Sequence, residues 1–362
     1  MPAGRRTTGQ YPPVPPRVRA PPAPARPRAP AVGRFLWTCR DGSEPHLYEE
    51  LAWQRAHPAL VARGLVESDR ATAPPTFARA GFLVGRVLEA PSVAALPDLA
   101  ETIARALEGP AQGRALCLQA FTPDTPEGNR LAPLATSLLT HVRERLRQVR
   151  LLDDPGAARD AGGLLGQICL CSEELLAAGH VAAREALSLA PSGRRRMRTG
   201  PRDLSRAAAK LEEALDAFGL EPARGETCVD LGAAPGGWTA RLVERGAKVV
   251  AVDPAALAPE LARHPRVTHL RQSAFSYQPP EPADWLFCDM AWRPLEVAAL
   301  LAKWGRRGWA DFLLANVKLP MLDKNPVLHR VRQALAEGGW KGMTVRQLYH
   351  DRDEVTVAAR RH

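Results

Sequence analysis

The pattern of apolar and polar positions changes character near residue 200. Beyond it, short apolar runs at Cys228–Leu231, Val249–Val252, Val267–Leu270, Trp285–Cys288 and Phe312–Val317 predict strands. Between them, Thr239–Glu244 and Leu295–Trp304 carry apolar residues at helical spacing. Strands alternating with helices predict a doubly wound, mainly parallel sheet. The last two runs, Met343–Leu348 and Val355–Ala359, lie too close together for a crossover helix, so they predict an antiparallel hairpin at the sheet edge. Before residue 200 the pattern is mixed. Phe82-Leu83-Val84 with Val87-Leu88, Ala115–Leu118 and Gly166–Cys171 read as strands, and Leu134–Val149 reads as a helix with arginines on its polar face. The chain therefore divides into an α+β region over 34–190, a basic connection over 191–204 and an α/β domain over 205–362.

Composition adds the ends and the partner. Residues 1–33 are rich in Pro and Arg and hold no acidic residue, which predicts a disordered tail. The tail reads as an unstructured extension or as a basic arm. Prolines would break the amphipathic helix of a mitochondrial targeting peptide, and the tail has no apolar core of a secretory signal. No apolar run approaches the ~18 residues of a membrane span. Neither a C-x-x-C pair nor a His/Cys cluster has zinc spacing, so no metal is expected. The six cysteines are scattered, several in apolar runs, as expected of buried reduced thiols in a cytoplasmic protein. A formal charge of +10 suits a polyanionic partner. Of 49 basic residues only six are lysine: Lys210, Lys248, Lys303, Lys318, Lys324 and Lys341. In so Arg-rich a chain, the remaining lysines are enriched for positions where arginine cannot substitute. The connection PSGRRRMRTGPRDL is either a solvated linker or a phosphate-contacting segment.

The strongest local signal is Val229-Asp230-Leu231-Gly232-Ala233-Ala234-Pro235-Gly236-Gly237-Trp238-Thr239, an apolar strand running into a glycine-rich turn and then a helix. Open α/β sheets bind ligands at such a carboxyl end. Gly232 is expected to remove a Cβ that would block a cofactor, and Gly236 and Gly237 to permit close backbone contact at the helix start. The spacing G-x-x-x-G-G matches neither a dinucleotide nor a phosphate loop, which points to a nucleoside cofactor without phosphate. Asp253, ending the second strand, is placed to accept hydrogen bonds from ribose hydroxyls. A purely structural glycine turn is the competing reading.

This motif resembles the cofactor loop of the FtsJ-like ribose 2′-O-methyltransferases, and within them the bacterial enzymes acting on 23S ribosomal RNA. Further matching stretches are Ser205 with Lys210-Leu211-Glu212-Glu213-Ala214, Cys288-Asp289-Met290, Lys318-Leu319-Pro320-Met321 and Arg346 through Val357. The resemblance implies a Rossmann-like class I methyltransferase domain and S-adenosylmethionine as cofactor. It implies cofactor contacts from Ser205, Gly232, Ala234, Pro235, Gly236, Gly237, Trp238, Asp253, Ser273 and Asp289. It also implies a catalytic tetrad of Lys210, Asp289, Lys318 and Glu354, and an N-terminal THUMP-like RNA-binding region, matched here chiefly by Phe77-Ala78-Arg79 and Phe82–Gly85. Two positions depart from the family pattern: Ala234 where Cys is common, and Ser273 where an Asp lies near the adenine.

The chemistry fits these residue types. A ribose hydroxyl must lose its proton as it attacks, and Lys318 is the expected base. Desolvation and a neighbouring ammonium, from Lys210, would favour its neutral amine. Arginine stays protonated and cannot take that role. Asp289 would orient the lysines and favour a cationic cofactor, and Glu354 would position an amine from the hairpin. Trp238 is expected to pack the helix start rather than stack on a base, and His350 and Asp351 are read as structural or as RNA contacts. Asp289-Met290-Ala291-Trp292 lacks the D-P-P-aromatic pattern of enzymes that methylate exocyclic amines. The reading is ribose methylation of RNA, with a cytidine of 23S ribosomal RNA implied by the resemblance. An RNA-binding assembly factor that retains the fold and a small-molecule methyltransferase stay as alternatives. No membrane partner is expected, and a monomer is the working expectation.

Overall fold

The structure is a computed structural model that describes residues 15–22, 24, 26–89, 92–195 and 207–362. The chain separates into two compact units, one formed by Val18–Arg198 with Arg346–Arg352, the other by Met1–Arg17, Thr199–Val345 and Asp353–His362.

The first unit is built on an eight-stranded mixed sheet. Its strands are β1 (Phe35–Cys39), β2 (Ala59–Ala62), β3 (Leu65–Ser68), β4 (Ala78–Glu89), β5 (Ala115–Phe121), β6 (Arg150–Leu152), β7 (Leu164–Leu170) and β8 (Leu175–Ala182), in the order β2-β3-β1-β4-β8-β7-β5-β6. Helices α2 (Leu96–Ala111) and α3 (Pro126–Arg145) pack on it through Ile103, Leu107, Leu138 and Val142, all fully buried or nearly so. A short helix α1 (Glu44–Trp53) lies between β1 and β2, and α4 (Pro155–Asp160) between β6 and β7. Helix α3 begins eight residues before the apolar pattern suggests and ends at Arg145, short of Val149. Its start is set by local chemistry: Thr125 caps it by accepting the Gly128 N–H at 3.0 Å, with Pro126 in the first turn.

Part of the Pro/Arg-rich stretch departs from the disorder expected of it. The Arg28 N–H donates to Val61 O at 2.8 Å, the Gly33 N–H to Val84 O at 2.8 Å and the Ala31 N–H to the Glu67 carboxylate at 2.9 Å. Glu67 is buried and also pairs with Arg28 and Arg34. A buried carboxylate needs such partners, which is why residues 28–33 are ordered against it. Residues 1–14 lie outside the described residues, as do 196–204 of the basic connection.

The turn Arg346–Arg352 clusters with this first unit although both flanking strands belong to the second. The Arg346 guanidinium donates to the carbonyls of Ala78, Arg79 and Leu187, and the Gln347 N–H to Thr76 O at 2.8 Å. Asp351 accepts the Leu348 N–H at 2.9 Å, a turn-closing role.

The second unit is the predicted doubly wound, Rossmann-like sheet. Strands β9 (Thr227–Leu231), β10 (Lys248–Val252), β11 (Val267–Leu270), β12 (Ala283–Cys288), β13 (Ala310–Lys318), β14 (Lys341–Arg346) and β15 (Glu354–Arg360) run in the order β11-β10-β9-β12-β13-β15-β14. The first five are parallel, and β15 enters antiparallel to β13. Its helices are α5 (Ala207–Phe218), α6 (Gly237–Glu244), α7 (Pro259–Ala262), α8 (Pro294–Arg307) and α9 (Lys324–Glu337). Phe287 of β12 is fully buried between Trp285, stacked at 5.6 Å, and Trp238, edge-on at 6.1 Å. The Trp238 indole N–H donates to Ala207 O at 2.9 Å, and the residue is buried in the first turn of α6. All six cysteines are buried and none is in a disulfide, and no described helix is long and apolar enough to cross a membrane.

Asp230 is the one fully buried carboxylate beneath the glycine loop. Burial raises its pKa to about 7, opposed by the Thr239 hydroxyl, which donates to it at 2.7 Å. An acid with a raised folded pKa contributes stability that is complete below its unfolded value, near 4, and is lost as pH rises to about 7. Asp230→Asn should therefore gain stability relative to the parent between these limits and hold a constant difference above them. Urea unfolding of both proteins from pH 4.5 to 8 checks this; a difference that does not grow with pH would show the carboxyl to be ionised throughout. Phe287→Ala should lower unfolding free energy by about 3–5 kcal/mol through the cavity it leaves, read from the same titrations at pH 7.

Candidate functional site

Strand register alone gathers the site. Leu231 pairs with Val252 on one side and with Cys288 on the other, so Gly232, Asp253 and Asp289 are the next residues of three adjacent strands. Cys288 also pairs with Ala315, which places Asn316 beside Asp289. Across the antiparallel pair, Asn316 faces Thr356 and Lys318 faces Glu354. All lie at the carboxyl edge of the parallel strands, where an open α/β sheet presents its ligand crevice.

The glycine loop is shaped by its own packing. Gly232 has φ +80°, and a Cβ there would lie 2.7 Å from Met290 Cγ and 3.3 Å from its Cα. The space that Gly232 leaves is therefore taken by Met290, a neighbour the sequence reading did not foresee. Gly236, at φ +117°, would press a Cβ into Leu261. Gly237 opens α6. The Ala234–Pro235 peptide is cis, and Pro235 O accepts the Ala258 N–H at 2.9 Å.

Asp253 Oδ2 accepts the Ala234 N–H at 3.1 Å and Oδ1 accepts the Ala255 N–H at 2.8 Å. These bonds fix the carboxylate against the loop and leave each oxygen a second lone pair. Ser273 is exposed, its hydroxyl accepting the Phe275 N–H at 3.3 Å in a local turn. Ser205 lies outside the described residues.

Three members of the expected tetrad form one charged cluster. Lys210, on α5, pairs with Glu354 and lies 3.8 Å from Asp289 Oδ1. Asp289 and Lys210 side chains are each 17% exposed and Glu354 7%, so the cluster is largely withdrawn from water. Burial raises the Asp289 pKa; the Lys210 ammonium opposes this most, Glu354 adds to it, and the Asn316 bond and Lys318 oppose it more weakly. Asn316 Nδ2 donates to Asp289 at 3.4 Å, and the Thr356 hydroxyl donates to Asn316 Oδ1 at 2.8 Å. Neither Asn316 nor Thr356 stands out in the sequence reading. The available signal was a polar residue inside the apolar strand Phe312–Val317.

Lys318 differs from the expectation of a desolvated amine: its side chain is exposed, at the end of β13, with no ion pair among the described residues. The strand ends there, and the chain turns outward through exposed Pro320, Met321 and Leu322. No group of His, Cys, Asp and Glu among the described residues has the arrangement of a metal site.

Residues 204–319 match the FtsJ-like methyltransferase family. The ribosomal RNA large subunit methyltransferase M of Hahella chejuensis is 32% identical over 340 residues, covering 90% of this chain and 80% of that protein. The proteins of the same name from Halorhodospira halophila and Laribacter hongkongensis are 48% and 45% identical over 176 and 178 residues, covering 47% and 46% of this chain. The chain spans about half the length of these last two, 51% and 50%. With the Hahella protein matched over four-fifths of its length, the chain belongs to the ribosomal RNA large subunit methyltransferase M family.

Proposed function

We propose that the chain transfers a methyl group from S-adenosylmethionine to a ribose 2′-hydroxyl of large-subunit ribosomal RNA, at a cytidine, and that its first unit binds that RNA as a THUMP-like region. The observation that carries the reading is the cluster of Lys210, Asp289 and Glu354 beside the glycine loop, with Lys318 paired in register with Glu354. The FtsJ-like match over 204–319 and the names of the relatives support it.

The residues present suit the cofactor. Gly232 to Trp238 carry no cation, and the carboxylates flanking the loop, Asp253 and Asp289, suit a positively charged nucleoside without phosphate. Bound there, S-adenosylmethionine supplies an electrophilic methyl on a sulfonium. Asp253 would hold the ribose hydroxyls through its spare lone pairs, and the backbone of Gly232–Gly237 would line the remainder.

Lys318 is the proposed base. Its Nζ would take the 2′-hydroxyl proton as the oxygen bonds the methyl carbon and the carbon–sulfur bond breaks, its electron pair leaving a neutral thioether, so the amine must be neutral at that moment. RNA closing over the exposed Lys318 would strip its water and favour the neutral amine. Lys210, held by two carboxylates, would stay an ammonium and orient the attacking oxygen. Glu354 and Asp289 would fix Lys210, with Asn316 and Thr356 bracing Asp289.

Lys318→Ala should abolish methyl transfer, a fall of at least about a hundredfold in kcat, while leaving cofactor affinity within about twofold. Lys318→Arg should be equally inactive, because it keeps charge but cannot titrate. Single-turnover transfer and calorimetric cofactor titration check both; normal turnover in either variant would remove Lys318 as the base. Tritiated cofactor with ribosomal RNA should place label in alkali-resistant dinucleotides. Cofactor binding with no transfer to any assembly intermediate would favour the assembly-factor reading instead.

A further inference from the structure

The amino-terminal edge of the parallel sheet, opposite the site above, holds a second cleft. It is a cavity of about 320 Å³ lined by Arg224, Gly225, Gly246, Lys248, Pro265, Arg266 and Thr268. Three of these residues are cations and none is an acid. Arg224 and Lys248 are exposed, Arg266 half-buried.

The cleft is built rather than incidental. Gly246 has φ +88°, and a Cβ there would lie 2.9 Å from both Arg224 Cγ and Arg266 Nη1, so the glycine lets the two arginines converge on one point. Arg266 Nη1 is fixed by donating to Gly246 O at 2.8 Å, and the Gly225 N–H donates to the same oxygen at 3.0 Å. None of the three cations has a carboxylate partner among the described residues. The nearby acids are engaged elsewhere: Glu221 and Glu212 with Arg245, Glu244 with Arg241, Glu226 with the Ala223 N–H and the Trp285 indole, Asp284 with the Thr227 N–H. Three like charges gathered without a counterion repel one another, and an anion would relieve that repulsion.

We propose that this cleft binds the phosphodiester backbone of the substrate RNA. It rests on the reading of the chain as an RNA methyltransferase. Parallel strands of four or five residues separate it from the catalytic edge by about 15 Å, the rise of that many residues. An RNA segment presented to the carboxyl edge does not reach it alone; a folded RNA with a second helix or strand behind the sheet does. The cleft thereby favours a structured, large RNA over a short one, through charge and not through base identity.

The test uses the full chain and the double variant Arg224→Gln, Lys248→Gln, in which both altered side chains are exposed and Arg266 keeps its bond to Gly246. Affinity for a 23S ribosomal RNA fragment is measured by fluorescence anisotropy across 50–300 mM salt. The variant should bind roughly tenfold more weakly at about 0.1 M salt, and its slope of log affinity against log salt should be shallower by about 1.5, as expected for two lost phosphate contacts. Its kcat at saturating RNA and its thermal midpoint should match the parent. Unchanged affinity and slope overturn the proposal, as does weaker binding with an unchanged slope, which marks a structural effect. If the parent alone shows a thermal shift with inorganic phosphate while RNA binding is equal in both, the cleft serves a small free anion and the proposal falls. Because binding is read without methyl transfer, an inactive parent would count against the proposed function and leave the result for the cleft intact.

Discussion

Two carboxylates cannot share a largely buried space without a cation, and at the carboxyl edge of the second sheet Lys210 is that cation. Asp289 and Glu354 arrive from different strands, β12 and β15, and are brought together only because β13 pairs in parallel with one and antiparallel with the other. Each burial is tolerable while Lys210 reaches both. Removing the lysine would leave two like charges facing each other at low exposure, a far worse state than removing all three. The cluster is thus costly to hold in isolation, and such cost commonly marks function.

That constraint extends backwards through the fold. Asp289 is held by Asn316, which is held by Thr356, so a polar chain runs across three neighbouring strands. On the other side Asp230 stands buried under the glycine loop, bonded to Thr239 of α6. The loop is tied to Asp253 through the Ala234 N–H, Met290 stands where a side chain at Gly232 would lie, and Asp230 holds the helix that follows. A loop held in place before any ligand arrives would lose little entropy on binding one.

The sheet of the second unit was legible because buried parallel strands are continuous apolar runs and their helices repeat at a different period. Val267–Leu270 coincides with β11, and the other runs fall inside β9, β10, β12 and β13. The first unit was less legible for physical reasons. β8, Leu-Leu-Ala-Ala-Gly-His-Val-Ala, is rich in helix-forming alanine and becomes a strand only by pairing between β4 and β7. β2 and β3 are four residues each, too short to show a period. Helix α3 was misplaced because its first turns are polar, while the informative Thr125-Pro126 cap was passed over. Within the site, charged residues matched by motif were found, whereas Asn316 and Thr356 were not, since their importance comes from a register between strands forty residues apart.

The two lysines stand in different surroundings although both meet Glu354. Lys210 is clamped by two carboxylates and largely withdrawn from water. Lys318 stands across the ladder from the same Glu354 yet is exposed and makes no ion pair among the described residues. Of the expected tetrad, Lys318 is thus the member that anything docking at the exposed end of β13 would cover.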